Sequence, residues 1–99
     1  MANQSEFDFG VARMFADAQV VANFSARDKR RFQRLWRFRK KESEALQLPA
    51  FRVLSNTMIV SIADRAPGTM TDLESVQGMG DWRMEKFGRK ILRVVAKED

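Results

Sequence analysis

The 99-residue sequence predicts an all-helical bundle. Apolar residues recur every three or four positions in several segments, which is the spacing of one face of a helix. Residues that cap or break helices separate these segments. One apolar stretch, residues 48–54, could form a short strand by composition, but the sequence offers no second strand to pair with it. We interpret it as an extended link that buries Val53 and Leu54.

The first predicted helix is short and amphipathic. Residues 1–8 are polar, and we expect them to be disordered. Apolar residues at helical spacing over residues 11–22 predict a helix that is marginal alone. Its apolar face therefore needs another part of the protein to pack against. We expect it to fold back so that Met14 and Phe15 bury Trp36.

The second predicted helix contains the most basic segment of the chain, residues 27–41 (RDKRRFQRLWRFRKK). Nine Lys or Arg residues and one Asp give this segment a net charge of +8, whereas the whole protein carries +5. Ser25 or Asp28 can cap the helix. It is expected to run to about Gln47, because Pro49 stops it.

A helical wheel divides this second helix into a mainly apolar face and a basic face. Like charges on adjacent turns repel each other, and a row of phosphates would relieve that repulsion. The alternative is a solvated helix face whose long side chains cover apolar surface. The apolar face contains Leu35, Phe38, Glu42 and Leu46, flanked by Arg31, Phe32 and Arg39; the basic face contains Arg30, Arg34, Arg37 and Lys41.

Two more helices are predicted after the link at residues 48–54. Ser55 or Asn56 can cap the first of them, which ends at residues 66–68. Thr71 and Glu74 have the spacing of a capping box for a short second helix. The expected buried residues are Met58, Ile59, Ile62 and Ala63 in the first, and Leu73 and Val76 in the second.

The last predicted helix follows the tight turn Gly78-Met79-Gly80, and Asp81 can cap it. Gly88 within this helix costs about 1 kcal/mol relative to Ala, so we expect a close helix contact there. The turn is similar to the phosphate-binding hairpin of helix-hairpin-helix modules, but Asp81 would repel a phosphate, which favours a structural turn. The expected buried residues are Met84, Phe87, Ile91, Leu92, Val94 and Val95.

Composition limits the possible functions. The chain has no Cys and no His, which excludes disulfides and His-based catalysis and argues against a zinc site. We find no nucleotide-binding loop and no carboxylate cluster spaced for two metals, so we expect no enzyme activity, cofactor or metal. The sequence pI of about 10.2 indicates nucleic acid or another anionic surface as partner. Without a membrane-span pattern or a secretory signal, we expect a cytoplasmic protein, associated with the nucleoid if bacterial.

An ordered series of short motifs extends over residues 29–95. It reads Leu35-x-x-Phe38-Arg39, Leu48-Pro49-Ala50-Phe51-x-Val53-Leu54-Ser55-Asn56, Ile59-x-x-Ile62-Ala63, Pro67, Leu73-x-x-Val76-x-Gly78-Met79-Gly80 and Met84-x-x-Phe87-Gly88. The series resembles the HRDC domain, found C-terminal in RecQ-type helicases and in RNase D. The resemblance implies a compact bundle of about five short helices that is non-enzymatic and binds nucleic acid as an auxiliary module. We assign residues 1–26 to an N-terminal extension and residues 27–99 to the HRDC-like domain.

Three positions depart from the family pattern. Glu42 stands where an apolar residue is usual, so we expect loose packing or a pair with an Arg. Trp36 and Trp82 stand where basic or polar surface residues are common.

Arg39, by contrast, matches a position that is commonly basic in the family. Two roles are considered for it, an internal salt bridge and a ligand contact.

The resemblance and the charge pattern together predict a nucleic-acid surface. Phe51 stands where some family members stack a ring on single-stranded bases, although a core contact is an equal alternative. Trp36 could also serve as a stacking platform if it were not buried. Further basic residues extend along the last helix. The predicted contact residues are Arg30, Arg34, Arg37, Lys40, Lys41, Phe51, Arg52, Trp82 and Arg83.

The sequence therefore predicts weak, largely sequence-independent binding of single-stranded or branched DNA, or of RNA, in the context of DNA repair or recombination. The alternative is a protein-interaction adaptor that docks on an acidic partner or on another domain of a helicase or nuclease.

Overall fold

Six helices occupy residues 16–97, the part of the chain that this computed structural model describes. Those residues contain no strand, so the all-helical prediction is confirmed. The disorder predicted for residues 1–8, and the contact of Met14 and Phe15 with Trp36, lie outside the described residues. The helices are α1 (residues 16–22), α2 (Ala26–Leu46), α3 (Ala50–Val53), α4 (Asn56–Arg65), α5 (Met70–Glu74) and α6 (Gly80–Ala96).

Helix α2 is the longest element, and α3, α4 and α6 all pack on it. Its N-terminus carries a capping box that uses both predicted residues. The Asp28 backbone N–H donates to the Ser25 hydroxyl, and the Ser25 backbone N–H donates to the Asp28 carboxylate. The helix ends where Gln47 adopts a left-handed conformation, two residues before Pro49.

The core lies where α2, α4 and α6 meet. The apolar faces predicted for these helices supply most of it, because each buries one stripe of side chains. Removal of one of the large side chains would typically destabilise the protein by about 2–5 kcal/mol. The fully buried large residues are Leu35, Val53, Leu54, Ile59, Ile62, Leu73, Met79, Phe87 and Ile91.

The link between α2 and α4 differs from the extended conformation that we expected. Residues 50–53 form the single turn of α3, which starts directly after Pro49. Proline suits this place because its fixed φ is already compatible with a helix start and it needs no backbone donor. Val53 and Leu54 are buried, as predicted.

Two predicted caps were assigned to the wrong residue. Helix α5 starts at Met70 and is capped by Thr69, whose hydroxyl accepts a hydrogen bond from the Asp72 backbone N–H at 3.1 Å. The predicted Thr71 capping box is therefore wrong. Helix α6 starts at Gly80, so Asp81 lies inside its first turn. There its negative charge interacts favourably with the helix dipole, but its side chain does not cap a backbone N–H.

Gly88 is a point of close contact between α5 and α6, as its position inside a helix predicted. A Cβ atom at residue 88 would lie 2.9 Å from Met70 Cε and 3.2 Å from Met70 Sδ. The missing side chain thus leaves room for the end of Met70.

Candidate nucleic-acid interface

Helices α2 and α6 lie side by side and run in opposite directions. Arg34 of α2 contacts the last turn of α6, whereas Glu42, two turns later, contacts Lys90. Between them, the rings of Phe38 and Phe87 meet edge to face, with centroids 6.1 Å apart. The basic face of α2 is therefore held next to α6.

Arg34 connects α2 to α6 through hydrogen bonds. Its Nε donates to the Val94 carbonyl oxygen at 3.0 Å and its Nη2 donates to the Val95 carbonyl oxygen at 3.4 Å. These carbonyls belong to the last turn of α6, which has no further N–H groups of its own to satisfy them. A cation at this end also interacts favourably with the helix dipole. Arg34 thus lies at the boundary of the two helices rather than fully on the outer face.

The exposed side of α6 carries a second basic row. Its residues lie at spacings of four, three and four, the same spacings as in the predicted basic row of α2. An open groove of about 280 Å³ lies between Lys97 and the Arg34, Arg37 and Lys41 side of α2. Phe38 and Val94 contribute apolar surface to its lining. We call these two rows the basic seam: Arg30, Arg34, Arg37 and Lys41 of α2, and Lys86, Lys90, Arg93 and Lys97 of α6 or its C-cap.

Glu42 is an acidic residue that lies next to the basic seam, and Glu85 lines the same groove. Glu42 Oε1 accepts a hydrogen bond from Lys90 Nζ at 3.0 Å. The expected pairing of Glu42 therefore exists, but its partner is a lysine of α6 and not an arginine. Because Lys90 is exposed, such a pair contributes at most about 1 kcal/mol.

Two arginines that flank the apolar face of α2 are internal ties. Arg31 Nη1 donates to Asp28 Oδ1 at 3.0 Å and to the Ala63 carbonyl oxygen at 2.7 Å, which joins α2 to the end of α4. Arg39 Nη1 donates to the Leu54 carbonyl oxygen and to Asn56 Oδ1. Burial lowers the pKa of the Arg39 guanidinium below its ordinary value. Within residues 16–97, Arg39 is therefore an internal residue that donates hydrogen bonds to neutral acceptors and forms no salt bridge.

Trp36 lies on a different side of α2 from the basic seam, and Lys40 points toward that side as well. Trp36 is 43% exposed, and the Met14 and Phe15 expected to bury it lie outside the described residues. Its ring is nevertheless engaged within the protein. Phe32 stacks on it at a centroid distance of 5.6 Å, and the Arg39 guanidinium carbon lies 4.2 Å from the ring centroid.

The start of α6 and the single turn α3 form an end of the molecule with exposed aromatic side chains. Phe51 is 63% exposed and Trp82 is 46% exposed. The core-contact alternative for Phe51 is therefore wrong. The Trp82 ring meets Phe87 edge-on at 5.6 Å, and Trp82 shares an open groove with Lys86 and Lys90 of the basic seam.

Arg83 holds these parts together. Its guanidinium donates to three carbonyl oxygens: Val53 at 3.0 Å, Gly78 at 3.0 Å and Phe51 at 3.3 Å. One side chain thus joins α3, the glycine turn and α6. We call Phe51, Arg52, Trp82 and Arg83 the aromatic end; Arg52 is exposed at its surface.

The structure brings together only some of the predicted contact residues. Arg30, Arg34, Arg37 and Lys41 lie on the basic seam, and Lys40 does not. Sequence reasoning missed Lys97, although its position seven residues after Lys90 places the two on one helix face. Within residues 16–97 no group of three or more acidic side chains is placed to hold a metal ion, and no helix there is long and apolar enough to cross a membrane.

Comparison with known proteins agrees with this architecture. A solved structure described as D. radiodurans RecQ HRDC domain 3 superposes with a TM-score of 0.68 at 27% sequence identity, covering 71% of this chain and 92% of that chain. The HRDC domain model matches residues 28–95, well over half of the sequence. HRDC domains are auxiliary modules of RecQ-like helicases. The chain therefore belongs to the HRDC domain family.

Proposed function

We propose that this HRDC domain binds single-stranded or branched nucleic acid, weakly and with little sequence preference, through the basic seam. The observation that carries the proposal is the presence of two basic rows with the same spacing on neighbouring helices, where Lys97 of the second row shares an open groove with three cations of the first row. A strand lying along the seam would meet cations from both sides.

The chemistry of the seam suits phosphates. Lys and Arg that neutralise phosphates release condensed counterions, which gives affinity that falls steeply with salt concentration. Such contacts position a strand without identifying its bases, because they carry no sequence information directly. The grooves along the seam are open, which is consistent with weak binding.

The aromatic end supplies a place for bases. Phe51 and Trp82 are exposed, and Trp82 lines one open groove together with Lys86 of the seam. Base stacking on such rings is worth about 1–3 kcal/mol per base and tolerates any sequence. Trp36 is not assigned this role, because Phe32 and Arg39 already contact its ring.

The proposal is tested by fluorescence anisotropy with a labelled single-stranded oligonucleotide at several salt concentrations. The variant Arg37→Gln/Lys41→Gln removes two exposed cations of the seam and leaves the Arg34 tie intact. If both contact phosphates, the slope of log affinity against log salt falls in magnitude by about 1.4, since each phosphate contact on a single strand contributes about 0.7.

A matched control is Lys29→Gln/Arg65→Gln, which removes the same charge from exposed positions away from the seam. We expect this control to reduce affinity much less than Arg37→Gln/Lys41→Gln at the same salt concentration. Equal losses in the two double variants would show that net charge alone attracts the strand, and the seam would no longer be the site.

A protein-interaction role is the second candidate, and the exposed rings of the aromatic end favour it, because such rings are enriched in protein interfaces. The variant Phe51→Ala/Trp82→Ala separates the two functions at constant charge. Loss of single-strand affinity supports stacking. Unchanged affinity leaves these rings available for a protein partner.

A further inference from the structure

A groove of about 440 Å³ lies where α5 and α6 meet. Met70 of α5 and Met84 of α6 contribute apolar side chains to its lining. The rest of the lining consists of charged residues of α6. We call this space the methionine groove. Its cations are Lys86, Arg89, Lys90 and Arg93.

The two methionines form one apolar patch. Their ends converge on Gly88, where a Cβ atom would lie 3.2 Å from Met70 Sδ and 3.7 Å from Met84 Cε. Met70 is 39% exposed and Met84 is half-buried, so the patch is open to solvent in part. Methionine is unbranched and polarisable, which lets it adapt to different apolar partners and makes it common at surfaces that bind peptides.

The cations of the methionine groove outnumber its acids. Glu85 is the one acidic residue in the lining, against four cations. Lys90 is already paired with Glu42. The three remaining cations are exposed and form no ion pair within residues 16–97: Lys86, Arg89 and Arg93. An acidic partner would therefore meet uncompensated positive charge beside an apolar patch.

We propose that the methionine groove binds an acidic peptide segment of a partner protein, in which apolar side chains are flanked by Asp or Glu. The apolar side chains cover Met70 and Met84, and the carboxylates pair with Arg89 and Arg93. Arginine suits this role because its planar fork donates two parallel hydrogen bonds to one carboxylate. Peptide binding here does not depend on strand binding by the basic seam, and the groove is a different surface from the aromatic end.

The apolar patch favours a peptide over a nucleic-acid strand as the occupant. Bases stack on flat aromatic rings, and neither methionine offers one. Phosphates would use the cations but would leave the patch uncovered, whereas an apolar side chain of a peptide removes it from water. Lys86, Lys90 and Arg93 border both the groove and the basic seam. Met70 and Arg89 belong to the groove alone, so they can separate the two occupants.

The test is fluorescence anisotropy with a labelled hexapeptide, Asp-Glu-Leu-Leu-Glu-Asp, blocked at both ends. One matched peptide has both leucines replaced by serine at the same charge, and another has all four acids replaced by their amides. We expect the leucine peptide to bind about tenfold more tightly than the serine peptide, as burial of one leucine side chain would give. We expect it to bind about fivefold more tightly than the amide peptide, as exposed ion pairs would give.

Variants of the protein locate the site. Met70→Gln keeps the charge and the approximate length of the side chain, and it should remove most of the preference for leucine over serine. Arg89→Gln should weaken the leucine peptide about threefold to fivefold, whereas Lys29→Gln, which removes the same charge from an exposed position outside the groove, should change its affinity less than twofold. Circular dichroism checks the fold of each variant. In the parent protein, the methyl resonances of Met70 and Met84 should shift in an NMR titration with the leucine peptide.

The outcomes separate this inference from the proposed function. Equal affinity for the leucine and serine peptides, or equal losses in Arg89→Gln and Lys29→Gln, overturns the inference, because net charge alone would then attract the peptide. Absence of binding at about 1 mM leucine peptide also overturns it. If Met70→Gln weakens a single-stranded oligonucleotide as much as the peptide, the groove belongs to the strand and the inference is wrong. Peptide binding without strand binding supports the inference and contradicts only the proposed function.

Discussion

Replacement of Arg83 tests the role of the aromatic end in the fold. In the variant Arg83→Gln, the carbonyls of Phe51, Val53 and Gly78 all lose their guanidinium donor. Hydrogen bonds to charged groups contribute about 1.5–3 kcal/mol each when shielded from water. Only the bond to Val53 is partly buried, and water can replace the donor at the two exposed carbonyls. We therefore expect a total loss of about 2 kcal/mol.

That loss can be measured by thermal unfolding followed by circular dichroism. For a domain of this size, about 2 kcal/mol corresponds to a decrease in Tm of roughly 8–16 °C. Arg89→Gln is the control, because Arg89 is exposed on the same helix and its replacement removes the same charge. Arg83→Lys should recover only part of the stability, since an ammonium lacks the planar fork that spans several acceptors. A Tm within about 2 °C of the parent protein in Arg83→Gln would refute this explanation.

Two further predictions concern α5, α6 and the start of α2. Gly88→Ala should leave stability unchanged or raise it by up to about 1 kcal/mol in urea unfolding, because Ala favours the helix and the flexible end of Met70 can move; a loss above about 1 kcal/mol would contradict this. The Ser25 backbone N–H, and secondarily Arg31, hold the pKa of Asp28 below its ordinary value of 3.8. A lowered carboxyl pKa stabilises the fold above the ordinary value, and this stability is lost as the pH falls through the lower folded value. The stability difference between the parent protein and Asp28→Asn should therefore shrink in thermal unfolding below about pH 4, and a difference that stays constant down to pH 2 would contradict the assignment.

The helices and their inner faces could be predicted from sequence because they depend on local spacing. Leu35, Ile59, Phe87 and Ile91 lie in three different helices, and the spacing within each helix predicted their burial. The cap of α5 was misplaced because Thr69 and Thr71 have similar capping ability and tertiary packing selects between them. Helix α6 starts one residue before Asp81, and its N-cap residue Met79 makes no side-chain cap hydrogen bond.

The candidate site was less predictable, because it depends on contacts between residues far apart in sequence. Arg31, Arg34 and Arg83 donate hydrogen bonds to backbone carbonyl oxygens that are between 5 and 61 residues away in the sequence. No periodicity in the sequence indicates those partners. The net charge of residues 27–41 correctly indicated a basic surface. How many of its cations face solvent, and that the basic residues of α6 lie beside them, required the structure.

The central claim is that the basic seam is where a nucleic-acid strand binds. The most direct measurement is an amide-shift titration of the isotope-labelled protein with a short single-stranded oligonucleotide at low salt, repeated with duplex and RNA. We predict shifts that follow α2 from Arg30 to Lys41, α6 from Lys86 to Lys97, and the aromatic end. Shifts centred on Lys29 and Arg65 instead, or no shifts at high oligonucleotide concentration, would contradict the claim.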